Sequence, residues 1–314
     1  MCISAGWTRA LIAAISIVVV CMVQPRFISL ENLTNVVRQF GFISIFALAQ
    51  MLPILVRGLD LSQGPLIAFS SVVFAMLSQK LGVAPAMLFT VFAAALVGLI
   101  NGTLAGLLRV SPFVATMGIG SILGGAALIL SNGQPVFEVP ASFSALAWIS
   151  ILGFPIVAIV AVLLLAVFWF VLEHMVAGRF VYAVGSNARA AELCGIPVQP
   201  TILICYVVSS SLTSIGAILL ASRIASGNPT LGLDQTLQSI AAVVIGGVSL
   251  FGGRGSVIGV ALGALFLATL ANALNLMNVT SYLQQVVIGL TIIVAVLFDI
   301  WQQEKRTGTL IDVK

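Results

Sequence analysis

Nine stretches of this chain hold no Asp, Glu, Lys or Arg: 10–25, 39–56, 61–79, 81–108, 110–137, 139–172, 193–222, 235–253 and 255–298. A helix that crosses a bilayer needs about 20 mostly apolar residues, and these stretches repeat that length along the whole sequence. Only 7% of the 314 residues are charged, against about a quarter in a soluble domain. A chain that is 61% hydrophobic cannot hide its apolar surface in one water-soluble core. It reads as an all-α polytopic membrane protein, with the lipid bilayer as its first partner. The net charge of +4 fits basic loops at a membrane better than a nucleic-acid surface, so no nucleic-acid partner is expected. Cys2, Cys21, Cys194 and Cys205 show no paired spacing. No disulfide and no metal cluster is expected.

Turn signals divide the stretches into ten helices, with cores near 9–25, 35–56, 63–80, 86–108, 112–131, 148–172, 198–222, 235–250, 256–275 and 282–299. The last stretch is long enough for two spans and breaks at Asn275 to Ser281. The first, after Arg9, resembles a signal peptide. It lacks an A-x-A-like cleavage site, so it reads as a retained helix. Residues 1–314 then form one transmembrane domain.

Lys and Arg set the orientation. With the N-terminus inside, the cytoplasmic side holds Arg9, Arg57, Arg109, Arg179, Arg189, Arg254, Lys305, Arg306 and Lys314. The outer side holds Arg26, Arg38, Lys80 and Arg223. Both termini are therefore expected inside. So is the polar segment "GRFVYAVGSNARAAELCGIPV", from Gly178 to Val198.

That segment predicts a short surface helix over 188–194. Asn187 can cap its start. Gly195 suits the left-handed position past its end, and Pro197 prevents continuation. So short a helix is marginal alone. Ala190, Ala191 and Leu193 offer a small apolar face, and Arg189 and Glu192 are spaced to pair. Two readings stay open on the residues alone: an ordinary connecting loop, or a docking helix for a cytoplasmic partner.

Several chemistries are missing from the sequence. There is no GxxxxGK[ST] and no HExxH. The glycine-rich "FGGRGS" (251–256) lacks the phosphate-binding lysine. Glu173 and His174 read as interfacial flanking residues. Asp60, Asp234 and Asp299 fall at span ends or in loops, so no ion relay of the kind found in proton-coupled carriers is visible. The chain reads as a non-enzymatic transport subunit with no cofactor of its own, drawing energy from elsewhere.

Five motifs carry a resemblance: "VRGLDLSQGPLIA" (56–68), "NGTLAGLLRVSPFVATMG" (101–118), "GRFVYAVGSNARAAELCGI" (178–196), "SGNPTLGLDQTLQSIAAVVIGGVSLFGGRGSVIG" (226–259) and "LNLMNVTSYLQQVVIG" (274–289). In order, over nearly the whole chain, they resemble ABC-importer permeases of the ribose type. The resemblance implies a type II-like permease fold in a bacterial inner membrane, paired with a second copy or a paralogue. It implies two cytoplasmic sugar-type ATPase subunits, which carry the ATP and Mg, and a periplasmic solute-binding protein. Residues 178–197 are then the coupling segment, with Arg179, Gly185, Asn187, Arg189, Ala190, Ala191, Glu192, Leu193 and Gly195 at the ATPase.

Other candidates follow from residue type. Gly58, Asp60, Ser62 and Gly64 form either a capped turn, with Asp60 or Ser62 at the N-cap, or an inner gate. Small polar residues suited to a pathway wall are Thr116, Ser121, Ser210 and Asn272. The loop before "IAAVVIGG" is expected to face the periplasm, making Asn228, Asp234 and Gln235 candidates for binding-protein docking. Thr236 and Gln238 stand there where ribose-type permeases usually carry acids, so the solute can differ from ribose. The same broad fold serves branched-chain amino acid and nucleoside importers. A secondary carrier is the remaining alternative.

Overall fold

Helix boundaries follow local chemistry. In the computed structural model, which describes residues 25–137 and 139–307, α1 spans Leu30–Leu55. It begins at Ser29, whose hydroxyl accepts the Asn32 N–H. Pro53 lies in its final turn, where the missing N–H removes one bond from the helical ladder shortly before the helix ends. Then come α2 (Gln63–Leu81) and α3 (Val83–Gly102), the latter extended by a π turn over Thr103–Leu107. Pro112 at the first position opens α4 (Pro112–Leu130). A short α5 (Ala141–Leu146) leads to a two-residue hairpin, β1 (Ser150–Ile151) and β2 (Phe154–Pro155). Next are α6 (Ile156–His174), α7 (Val176–Ser186), α8 (Ala188–Leu193) and α9 (Val198–Ile224). The chain continues through α10 (Leu233–Ile245), α11 (Val257–Leu276) and α12 (Ser281–Thr307).

Seven helices are long and apolar enough to cross a membrane: α1, α2, α3 with its π turn, α4, α6, α9 and α11. The protein is an all-α polytopic membrane protein. The count of ten is not reached among the described residues. The helix expected over 9–25 lies outside them. The one expected over 235–250 is α10, only 13 residues long, and the one expected over 282–299 lies within α12. The helix expected from residue 148 starts at Ile156, because the hairpin occupies 150–155.

The brevity of α10 has a structural cause. After α9 the chain turns back into the bundle along α2. Asn228 exchanges hydrogen bonds with the Ser71 hydroxyl, its N–H donating and its carbonyl accepting, both at 3.1 Å. Gly232 then lies against Ile67 and the Gly64 carbonyl. The first turn of α10 therefore sits beside the first turn of α2, inside the bundle.

At the centre stands α1, buried without interruption from Gly41 to Val56, with α6, α9, α10 and α11 packed around it. A helix apolar on every side belongs in such a position. The α3–α9 pair is antiparallel and close. Gly98, Gly102 and Gly106, spaced four apart, meet Tyr206–Val207, Leu203 and Gln199–Ile202 of α9. A Cβ at Gly98 would lie 2.5 Å from the Tyr206 carbonyl oxygen, so only glycine lets the backbones approach this far.

Candidate functional site

The polar segment folds as its residues suggest, from the cap outward. The Asn187 side-chain oxygen accepts the Ala190 N–H at 3.0 Å, which starts α8. At the other end the Ile196 N–H reaches the Ala191 carbonyl and the Gly195 N–H reaches the Glu192 carbonyl, both at 3.0 Å. This is the paired C-terminal closure that requires a left-handed residue, and Gly195 supplies it with φ 78°. Arg189 and Glu192 form an exposed ion pair at 2.8 Å. Leu193 stands out at 77% exposure, and Ala190 is exposed beside it.

Ala191 departs from the expected face. It is 5% exposed and belongs to the same buried cluster as Val181 and Val184. It seats α8 on the protein's own core and is not offered to a partner. The outward apolar surface is Ala190 and Leu193. Below α8 a cleft of about 330 Å³ is lined by Arg109, Arg189, Glu192, Gln199 and neighbouring residues of α3 and α9. Arg179 is exposed on α7. Tyr182 is half-buried on the same helix. Burial, with the Glu173 charge adding to it, pushes its phenol up to about 12.

Gly185 has a structural role. A side chain there would strike the Leu55 carbonyl oxygen and the Gly253 nitrogen. Three separate segments meet at this point. Gly253 donates its N–H to Leu55 at 2.9 Å, Tyr182 donates its hydroxyl to Gly255 at 3.1 Å, and Arg57 donates Nε to the Gly185 carbonyl at 2.6 Å. The Arg57 Nη2 reaches the Ser186 carbonyl as well. These carbonyls close α7, so a guanidinium satisfies groups that the helix leaves open and meets the negative end of its dipole. Arg57, Arg109, Arg179, Arg189 and Arg254 all gather at this end of the bundle, while Arg38, Lys80 and Arg223 lie at the other.

From Arg57 the chain re-enters the bundle. Gly58 lies against the Tyr206 hydroxyl. Asp60, 1% exposed, accepts the Ser62 N–H at 2.9 Å and the Ser62 hydroxyl. Burial raises the Asp60 carboxyl above the usual range, and the two Ser62 bonds pull it back down. Neither Asp60 nor Ser62 caps the start of α2 through its side chain. The turn is instead closed by Asp60 on Ser62, and Asn101 of α3 donates to the Ser62 hydroxyl at 2.9 Å. Gln63 donates to the Phe46 carbonyl at 2.9 Å and accepts the Ser239 hydroxyl at 2.6 Å, joining α1, α2 and α10. Gly64 meets Thr236 and Gly232.

The small polar candidates separate on their partners. Thr116 is fully buried and holds this same loop. It accepts the Leu61 N–H at 3.1 Å, and its hydroxyl lies 3.0 Å from the Leu59 carbonyl and 2.8 Å from that of Pro112. Asn272 pairs with Asn32 through two 2.9 Å bonds and joins α11 to α1. In this structure both act as ties between segments. Ser121 is exposed on α4 and bonds its own helix at Met117. Ser210 is fully buried with no hydrogen-bond partner, as are Ser209, Ser214 and both amide atoms of Gln50. Asp234 is exposed in the first turn of α10 and accepts from Gln285 of α12 at 2.9 Å. Because the segment before α10 runs back into the bundle, Asn228, Asp234 and Gln235 do not form the expected loop at the outer end. Thr236 is buried against Gly64.

Sequence reasoning used Arg57 only for orientation and passed over Asn101, Gln63 and Tyr206. The signal was there for Arg57, since it stands directly before "GLDLSQG".

The order of these pieces is that of a transport subunit: a polar segment presented at one end, fixed to a loop that ties several membrane helices. Comparison with known proteins agrees. Residues 32–296 match the family described as branched-chain amino acid transport system / permease component. The chain belongs to this family. A ribose import permease protein of Haemophilus influenzae is 34% identical over 304 residues, covering 95% of this chain and 94% of its own. A probable ABC transporter permease protein of Escherichia coli is 40% identical over 293 residues, covering 92% and 87%. A fructose import permease protein of Rhizobium meliloti is 35% identical over 286 residues, covering 88% and 79%. No solved structure matches the chain. It is thus an ABC-importer permease of the ribose type, a multi-pass inner-membrane protein and a transport component.

Proposed function

We propose that this permease forms the membrane pathway for a monosaccharide or a closely related polar solute, delivered by a periplasmic binding protein. A cytoplasmic ATPase docks on residues 178–197 and carries the ATP and Mg, so hydrolysis resides outside this chain. Two permease copies, or this chain and a paralogue, enclose the path. The observation that carries the sugar is the likeness, over most of the chain, to permeases named for ribose and fructose import. Docking draws support from α8, which is capped at both ends and seated by Ala191, with Ala190 and Leu193 facing out. The family description favours a second reading, a branched-chain amino acid importer.

Calorimetry on the cognate binding protein tests the solute, using D-ribose, D-fructose, D-xylose and L-leucine. Binding of a sugar supports the reading, and binding of leucine alone overturns it. Purified permease alone should hydrolyse no ATP. Reconstituted with its ATPase, it should support hydrolysis stimulated by the loaded binding protein.

A further inference from the structure

Arg57 ties the docking segment to the loop that organises the middle of the bundle. Its side chain holds the last two carbonyls of α7, one residue before the Asn187 cap of α8. Its backbone, at φ 64°, opens the 57–62 loop. Within the next six residues Thr116 of α4 holds Leu59 and Leu61, Asn101 of α3 holds Ser62, and Ser239 of α10 holds Gln63. A displacement of α7–α8 along the bundle axis therefore pulls on a guanidinium anchored to α3, α4 and α10 within two helical turns of chain. There is room for such a movement. A cleft of about 280 Å³ lies beside the loop, lined by Ile54, Arg57, Gly58, Leu59, Pro112 and Leu250, among others.

The other contacts at this junction are of a different kind. The Gly253–Leu55 bond joins the loop after α10 to the end of α1, and the Tyr182–Gly255 bond ties α7 to the stretch just before α11. Neither passes into the 57–62 loop. Arg57 alone among these groups joins the docking segment to it by a side chain, and its fork makes the joint two-pronged, which resists rotation in a way a single donor does not.

Resting on the docking reading above, we propose that Arg57 is a positioning residue of the transport cycle, through which the ATPase-docking segment drives the 57–62 loop and, with it, the inner ends of α3 and α4. Substitutions at Arg57 should uncouple the two without dismantling either.

The test uses the complete transporter in liposomes, with the permease as wild type, Arg57→Gly or Arg57→Lys. Glycine removes the fork and keeps the left-handed backbone free of strain. Lysine keeps the charge but can serve only one carbonyl at a time. The readouts are ATPase co-purification, thermal unfolding of the complex, hydrolysis stimulated by loaded binding protein, and uptake of the radiolabelled sugar that protein binds. In Arg57→Gly, stimulated hydrolysis and uptake should fall about tenfold or more, the equivalent of losing one to two charge-assisted hydrogen bonds. Co-purification should stay at wild-type levels and the complex should still unfold in one transition, its midpoint lowered only by loss of the fork, while Arg57→Lys should fall between Arg57→Gly and wild type in stimulated hydrolysis and uptake. Equal stimulation and uptake in Arg57→Gly overturns the inference alone. Loss of folding or of co-purification makes Arg57 a structural cap or a direct ATPase contact, and overturns it too. A wild-type complex that shows no stimulated uptake overturns the docking reading and this inference together.

Discussion

The two halves of the polar segment, α7 and α8, are adjacent in sequence and opposite in character. In α7 Gly178, Val181, Val184 and Gly185 are buried, and the helix is held by Arg57, just past α1, and through Tyr182 to Gly255, just before α11. In α8 only Ala191 is buried, and the remaining side chains are exposed. One half is an anchor and the other is a presented surface. A helix of six residues holds its shape in water only if both ends are closed and something beneath it is fixed. The anchor supplies that foundation, which is why the segment keeps an apolar, glycine-containing stretch directly before its most polar one.

If the comparison is right, the anchor should be the fragile half. Gly185→Val should have the largest effect of any substitution in the segment. The added side chain meets the backbone at Leu55 and Gly253, which cannot swing aside as a flexible side chain can. Overpacking costs about 1–3 kcal/mol where side chains can adjust and more where they cannot. The expected outcome is a permease that fails to fold or to hold its ATPase, checked by detergent size-exclusion profile and co-purification. A monodisperse, ATPase-bound Gly185→Val protein would show that the junction is loose.

Ala191 tests the boundary between the halves. Ala191→Trp puts a large ring into the seat of α8 and should unseat the helix, at about 1–3 kcal/mol of permease stability together with loss of ATPase binding. Leu193→Trp, two residues on, points outward and should leave permease stability unchanged. Thermal unfolding of the two variants without ATPase decides it. Equal stability would mean that α8 does not rest on the core through Ala191.

Thr116 extends the comparison inward, because the anchor continues through Arg57 into the loop that Thr116 holds. Thr116→Val keeps the shape and removes the hydroxyl, leaving the Leu61 N–H without its acceptor. A buried group stranded in this way costs about 1–3 kcal/mol. Unfolding of the isolated permease should register that loss, whereas Thr116→Ser should restore most of it.

How much of this was readable in advance depended on how far apart the interacting residues lie. The caps of α8 and its ion pair were legible because Asn187–Ala190, Arg189–Glu192 and Ala191–Ile196 are local. The membrane helices were legible because charge-free length is a property of each stretch by itself. The orientation of Ala191 was not. Six residues make fewer than two turns, and which side faces inward is set by what the helix lands on. The Arg57 fork joins residues 128 and 129 positions apart, and no local pattern announces it. The return of 225–232 into the bundle was hidden for a related reason. Gly232 turns the chain at φ 96°, but its neighbours Ile67 and Gly64 belong to a distant motif. Charge patterning alone placed Asp234 at the outer end.

The smallest effect expected is at the most conspicuous charged feature. Arg189 and Glu192 form a 2.8 Å ion pair, yet their side chains are 77% and 51% exposed. Water screens such a pair, and holding two long side chains in one geometry costs rotamer freedom, so it contributes about 0–1 kcal/mol. Asn187 and Gly195 fix the helix ends without it. Arg189→Ala should therefore change the unfolding temperature of the permease hardly at all, and Glu192→Ala likewise. Any loss of ATPase affinity should be modest and should shrink as salt is raised, since it would come from a screened charge on the partner. Titration of the ATPase against permease in nanodiscs at two salt concentrations measures it. A large, salt-independent loss in Arg189→Ala would mean that the arginine is buried in the docked complex, and that α8 is held by its charge and not by its apolar face.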